Sequence, residues 1–385
     1  MRILIGGDFA PTKANFDLFE QGAAETLYGK EMLDYLEKFD YRIFDFETVF
    51  DGAGAPIQKH GPLITTPATC MPGIDAIYPN LFVLANNHAA NLGREGIEHT
   101  KSLLAEHGIS CVGAGVDLAD ASKPFYVKDG DLTIGFYACA EHEFNAAGAD
   151  VAGVNPYDPL VTFDEVREAK RHCDQLIVFY HGGMIEYRYP LPGERRVFKK
   201  LVDCGADLVV GQHTHCIGCS EVYKGKTLLY GQGDFFFARP TNNEYRFSGL
   251  LLEVDVSKES LTVGYDVRVK PQDTIRMATP DEKEQILGSF EARGREILDE
   301  KRFAEIYEAQ LEEKKPFYLE RLLGKYGRSL VYAACNRLTG GRYRHSKLAR
   351  SFGKQDWLTI DNWISCETHR EFFTDLVVRE WKKRS

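Results

Sequence analysis

The sequence predicts an α/β domain followed by a helical C-terminal extension. Three observations carry that expectation. Short apolar runs recur at residues 2–5, 41–44, 81–85, 132–138, 175–180 and 207–210, with helix-periodic segments between several of them. The run 175–180 is apolar without alternation, as a strand covered on both faces reads. Of 385 residues 44% are hydrophobic, including 24 Phe and 19 Tyr, which is ample for a packed core.

The first run ends at Gly6-Gly7-Asp8, where glycines are expected to turn the chain sharply and present the Asp8 carboxylate. A helix is expected over 22–39. The second run ends at Asp45-Phe46-Glu47, and period-two alternation sends both carboxylates to one side. Residues 52–72 read as a long loop with His60 exposed. The third run ends at Asn86-Asn87-His88, ahead of a helix over 91–107. The fourth delivers Glu141-His142-Glu143 into a loop. A helix over 163–172 precedes the strand that stops at His181-Gly182, and a helix over 194–204 precedes the one that opens onto Gly211-Gln212-His213-Thr214-His215. Strands over 227–230, 250–256 and 261–269 complete the sheets, the first running into Gly231-Gln232-Gly233-Asp234. From Pro280 the chain turns helical and charged, so a boundary is placed near Ala278, between parts 1–278 and 279–385.

The net charge of -10 conceals an asymmetry: residues 314–354 hold eleven Lys and Arg against the single acid Glu320, so the remainder is strongly acidic. A basic arm of this kind suits an anionic membrane face, a polyanion or the acidic body of a partner. An acidic body without a recognition motif argues against nucleic acid. The nine cysteines are odd in number and scattered, as for reduced thiols of a cytosol. Met1-Arg2 leads into an apolar run too short for a signal peptide, and no run approaches the ~20 residues of a bilayer span. The expectation is a cytoplasmic protein, at most peripheral at a membrane.

Five strand ends in succession carry metal-competent groups: Asp8, Asp45 with Glu47, Asn87-His88, His181, and His213 with His215. In open α/β sheets such groups converge at the carboxyl rim. Imidazoles at i and i+2 on an extended or loop backbone point the same way and supply half a coordination shell. The mixed nitrogen and oxygen set suits one or two divalent ions, Mn, Fe or Zn. Two such ions ~3.5–4 Å apart are an arrangement used to hydrolyse phosphoesters, with a neutral donor such as His88 protonating the leaving oxygen. Cys216 and Cys219 have zinc-knuckle spacing but lack a second pair, and read as buried thiols. Arg188, Arg195 and Arg239 are candidates for holding an anionic group, each also readable as a surface charge.

Taken in order, Gly7-Asp8, Asp45-Phe46-Glu47, Asn86-Asn87-His88, His181-Gly182 and Gly211-Gln212-His213-Thr214-His215 resemble the motifs of calcineurin-like metallophosphoesterases. With Ala206-Asp207-Leu208-Val209-Val210 before the histidines and Tyr230-Gly231-Gln232-Gly233-Asp234-Phe235 after them, residues 1–270 more closely resemble the CapA family of bacterial capsule and poly-gamma-glutamate synthesis proteins. The resemblance implies a four-layer αββα sandwich of two mixed sheets with a metal site at one edge. It makes Asp8 and Glu47 carboxylate ligands, lets Asn87, His181, His213 and His215 complete the sites, and makes His88 the leaving-group donor. Asp45, Glu141, His142, Arg188 and Asp234 are further candidates for touching substrate or supporting the ligands.

Three departures stand out. Asp8-Phe9-Ala10 lacks the histidine of the usual first motif, which leaves one metal position a ligand short. Asp45-Phe46-Glu47 leaves the binding carboxylate open, with the family's Asn-x-Glu favouring Glu47. Ala89 replaces the acid that usually orients the histidine before it. The implied function is a metal-dependent hydrolase of capsule or exopolymer production acting on an anionic substrate or polymer, with capsule-synthesis proteins or a membrane surface meeting residues 314–354. The alternative is a non-catalytic polymer-binding or assembly factor.

Overall fold

The structure is a computed structural model that describes residues 1–238, 244–322, 329–365 and 367–383. It comprises two compact units, Met1–Asp299 and Glu300–Ser385. The longer strands of the first unit are β1 (Arg2–Ala10), β2 (Tyr41–Phe46), β3 (Leu81–Val83), β4 (Ser110–Val112), β5 (Phe125–Asp129), β6 (Leu132–Ala140), β7 (Gln175–His181), β8 (Leu208–Gln212), β9 (Ile217–Tyr223), β10 (Lys226–Gln232), β11 (Asp234–Phe237), β12 (Ser248–Val256) and β13 (Leu261–Val269), with a short β14 (Arg276–Met277).

They form two mixed sheets. The first runs β14-β13-β12-β1-β2-β3-β4, with β11 also paired to β1, and the second runs β9-β10-β8-β7-β6-β5. In the first, β1 to β4 are parallel while β12 and β13 are antiparallel; in the second, β6, β7, β8 and β10 are parallel.

Side-chain alternation divides each strand between two layers of packing. Ile134 and Phe136 of β6, Ile177 and Phe179 of β7, and Leu208 and Val210 of β8 share one core with Ile3, Ile5, Ile43 and Val83 of the first sheet. Tyr41 stacks on Phe136 across the two sheets, centroids 6.0 Å apart. The intervening residues of the second sheet meet helices: the Tyr137 hydroxyl donates to Glu165 on the helix Thr162–Lys170, and Phe198 on the helix Pro192–Asp203 packs on Tyr180 and Tyr230. On the first sheet's outer side Phe9, Phe44 and Phe235 pack with Phe19 and Tyr28 of the short helices Phe16–Glu20 and Ala24–Tyr28. The layering is therefore helix, sheet, sheet, helix.

Two local expectations change. The first strand does not turn at its glycines but continues to Ala10, with a register irregularity between Ile5 and Asp8. Gly7 serves close approach instead, since a Cβ there would lie 1.7 Å from the Gly233 carbonyl oxygen. The helix expected over 22–39 is two, Ala24–Tyr28 and Lys30–Leu36, separated by Gly29 at φ +75°, a conformation glycine adopts readily.

The change of composition near Ala278 marks the start of the helix Pro280–Leu298, capped reciprocally by Thr279 and Glu282. That helix belongs to the first unit: Arg293 donates to the carbonyls of Gly218 and Ile217, and Phe290 packs on Tyr265. The second unit is helical, with Glu300–Leu322, Leu330–Leu338, Arg342–Ser351, Lys354–Ser365 and Glu367–Lys382. Of the basic segment 314–354, residues 323–328 lie outside the described residues. Among the described residues no helix is long and apolar enough to cross a membrane.

Candidate metal centre

Strand register assembles the carboxylates. Asp8 on β1 stands opposite Asp45 on β2 and, on the other side, opposite Asp234 on β11, so three acids occupy adjacent strands. All three are buried, as is Glu47 just beyond β2. His181 closes β7 and is in register with Gln212 of β8, which brings the loop 213–215 alongside it.

The His-x-His pair converges by a different route from the alternation expected of an extended chain. His213 and His215 have φ of +89° and +54°, a region sparsely populated by residues with a Cβ, and their rings lie 6.0 Å apart. Each such residue stores of order 1–3 kcal/mol of strain, which the surrounding structure must offset.

The imidazoles are oriented by acids. His181 Nδ1 donates to Asp45 Oδ2 at 2.8 Å, and the other Asp45 oxygen accepts from Asn86 Nδ2 at 2.7 Å. His181 Nε2 then faces His213 Nδ1 at 3.0 Å. His215 Nδ1 lies 2.7 Å from Asp234 Oδ1 and 3.1 Å from Asp8 Oδ2, while its Nε2 faces Glu47 Oε1 at 3.6 Å. His88 Nε2 faces the same Glu47 oxygen at 3.7 Å. Asp45 and Asp234 thus aim rings, whereas neither oxygen of Glu47 accepts a hydrogen bond.

Electrostatics follow from this crowding. Burial pushes the Glu47 carboxyl up to about 8 and Asp45 to about 6. Burial opposes charge on His215 and His181, but adjacent carboxylates outweigh it and raise them to about 10 and about 9. His213 is driven well below its ordinary value by burial and by His181 and His215. Arg268, fully buried, donates through Nε to the Asp234 carbonyl at 2.6 Å, and Lys270 donates to the Phe237 carbonyl at 2.9 Å. Burial lowers these two cations to about 10 and about 8.

Three overlapping sets of groups lie close enough to share a cation: Glu47, His181 and His213; Asp8, Glu47 and His215; and Asp8, Asp45 and His181. Glu47 belongs to the first two. A buried carboxylate without hydrogen bonds, ringed by imidazole nitrogens, is a group whose desolvation a cation would offset, and the mixed donors fit a divalent transition metal. Asn87 Oδ1 is likewise buried without a hydrogen-bond partner.

The other expected residues fall in several places. Glu141 is exposed and accepts from Tyr180 and from the Gly183 amide, and His142 is exposed. Arg188 pairs with Glu244 at 3.9 Å and lies over the Tyr245 ring. Arg195 is buried in a forked pair with Glu221. Arg239 lies outside the described residues. Cys216 and Cys219 are buried, and burial pushes the Cys216 thiol up to about 12.

Three residues at the centre carried no signal in the sequence. Asn91 Nδ2 lies 3.0 Å from His88 Nδ1, and its orientation is fixed by the Ile64 carbonyl at Nδ2 and Lys59 Nζ at Oδ1. Asn91 is therefore the donor, and the proton of a neutral His88 ring sits on Nε2. It supplies a neighbour for His88 where Ala89 supplies none. Lys59, from the long loop, also donates to the Asn87 carbonyl at 2.7 Å. Arg246 adjoins Asp234, with Nη1 4.0 Å from Oδ2.

Residues 2–239 match the family model described as bacterial capsule synthesis protein PGA_cap. The PGA biosynthesis protein CapA of Bacillus subtilis (strain 168) is 36% identical over 157 residues, 40% of this chain and 41% of that one. The capsule biosynthesis protein CapA of Bacillus anthracis is 30% identical over 165 residues, 40% of this chain and 39% of that one. The chain thus spans about two fifths of the length of these curated relatives. A hypothetical protein from Thermus thermophilus has a crystal structure that aligns with 70% of this chain and 100% of its own, at 15% identity and a TM-score of 0.45.

Proposed function

We propose that this chain, which belongs to the bacterial capsule synthesis protein PGA_cap family, is a metal-dependent hydrolase of phosphoester bonds acting in capsule or exopolymer production. The observation that carries the reading is Glu47, fully buried, with neither oxygen hydrogen-bonded and the nitrogens of His88 and His215 turned toward one of them. Asp8, Glu47, Asn87, His181, His213 and His215 would hold one or two divalent ions, with Glu47 common to both sets. A divalent cation bound there would supply Lewis-acid polarisation of a phosphoryl oxygen and a nucleophile that ionises near neutrality.

The protein's own groups do the rest. Asp45 and Asp234 fix the ring orientations of His181 and His215, so that Nε2 of each faces the centre and would present its lone pair where a cation displaces the ring proton. His88, its proton held on Nε2 by the contact from Asn91, donates that proton to the departing oxygen. Burial excludes water from the histidines and so strengthens each of these interactions. Elemental analysis of purified protein should return Mn, Fe or Zn. The loaded protein should cleave a phosphomonoester or phosphodiester from a broad panel, and His213→Ala should abolish turnover; metal-loaded protein inert across the panel rejects the assignment.

A second reading rests on the second unit. Exposed Arg337, Arg342, Lys347 and Arg350 share its helices with exposed Leu330, Val331 and Leu338. This surface would hold an anionic polymer through a salt-dependent attraction. Retention of the full chain on immobilised poly-glutamate should fall steeply with ionic strength, and retention that salt leaves unchanged would reject it.

A further inference from the structure

Arg246 has no role in the chemistry above, yet its side chain is only 8% exposed beside the centre. Its Nε donates to Glu186 Oε1 at 3.2 Å and its guanidinium lies over the Phe237 ring. Nη1 stops 4.0 Å from Asp234 Oδ2, beyond hydrogen-bonding distance, and both atoms are buried without a hydrogen-bond partner. A buried charged donor left without an acceptor is costly, more so than a neutral one. Asp234 does not need Arg246 to hold it, since its other oxygen is engaged by His215 and its carbonyl by Arg268.

The guanidinium is held in place from the histidine loop. Glu186 has φ +60°, and its amide donates to the Thr214 carbonyl at 2.8 Å, between the two histidines. Two residues on, Arg188 pairs with Glu244 of the turn Glu244–Arg246 and lies over Tyr245. Two ion pairs of opposite sense therefore fasten that turn to residues 186–188, and the Glu186 amide ties those residues to the loop that carries His213 and His215.

We propose that Arg246 is the anion-binding residue of the centre, its Nη1 taking a non-bridging oxygen of the substrate's phosphoryl group, with Glu186 as its positioning residue. The inference rests on the hydrolase reading. A planar guanidinium already anchored at Nε presents its remaining N–H groups at a fixed angle, which suits a tetrahedral oxyanion better than a lysine does.

The test is calorimetric titration of inorganic phosphate into full-length, Mn-loaded protein, comparing wild type with Arg246→Met, Arg246→Lys and Glu186→Gln. Phosphate affinity should fall about ten- to a hundredfold in Arg246→Met at unchanged metal content. Arg246→Lys should recover part of it, and Glu186→Gln should lose less. Acetate at the same ionic strength should bind no variant; acetate binding equal to phosphate rejects the phosphoryl assignment. Wild type that loads metal but gives Arg246→Met the same phosphate affinity, or binds no phosphate itself, overturns the inference and leaves the metal centre standing. Wild type that takes up no metal overturns both. Should Arg246→Met be recovered unfolded, Arg246→Lys decides: weaker phosphate binding at an unchanged melting temperature supports the role, and equal binding rejects it.

Discussion

His181 Nδ1 donates to Asp45 Oδ2 at 2.8 Å, and that one contact decides which nitrogen of the ring faces the centre. In Asp45→Asn the charge is lost and the tautomer is no longer imposed. Metal affinity should fall about 10- to 100-fold, as when a ligand histidine loses its carboxylate. Competition titration against a chromophoric chelator measures it; unchanged affinity would detach Asp45 from the metal site.

Asn91 occupies the corresponding position behind His88. Asn91→Ala removes the contact at Nδ1 of that ring and strips Lys59 of one acceptor. Turnover of an activated aryl phosphate, whose leaving group needs little protonation, should hardly change, while that of an alkyl phosphate should drop about 100-fold. Equal losses on both would place Asn91 in the scaffold alone.

Chelation should destabilise the first unit. It would leave Asp8, Asp45, Glu47 and Asp234 buried together without the cation proposed to offset them. Restoring a divalent metal at about 100 times its dissociation constant should return about 2.7 kcal/mol. Calorimetric melting with and without chelator reports the difference, and superimposable traces would reject a metal bound at the centre.

Two carboxylates far from that question should titrate in opposite senses. Burial raises Glu194 from 4.5 to about 8, so its contribution to stability is full below 4.5 and is lost as pH rises through about 8. Arg276 and the Thr279 amide pull Glu282 down to about 2, so its contribution is full above 4.5 and is lost as pH falls toward 2. Denaturation of Glu194→Gln should therefore gain on wild type with rising pH, and Glu282→Gln should lose its deficit with falling pH. The same slope for both variants would contradict these environments.

Gly7→Ala places a methyl group against the Gly233 carbonyl, where β1 passes the start of β11. The backbones must part, at a cost of about 3 kcal/mol or more. Urea unfolding should show the loss together with weaker metal binding, because Asp8 and Asp234 are paired at that crossing.

The residues that converge at the centre were legible because strands buried in α/β sheets show as apolar runs, and the residues that end them stand out by chemistry. Asp8, Glu47, His181 and His215 were read in this way. Their partnerships were not: that Asp45 serves His181 and Asp234 serves His215 depends on strand register and on a loop held at positive φ, neither of which leaves a local pattern. Lys59, Asn91 and Arg246 come from a loop, a turn and a short 3-10 segment whose positions are set by tertiary packing. Gly6-Gly7 suggested a turn because glycine permits one, while the actual demand was clearance beneath a neighbouring strand.

Asp8 is flanked by one strand made early in synthesis and another made near the end of the sandwich. The acid that aims His215 is therefore added after all six residues proposed to hold metal, so that ring would be oriented only once β11 has paired with β1.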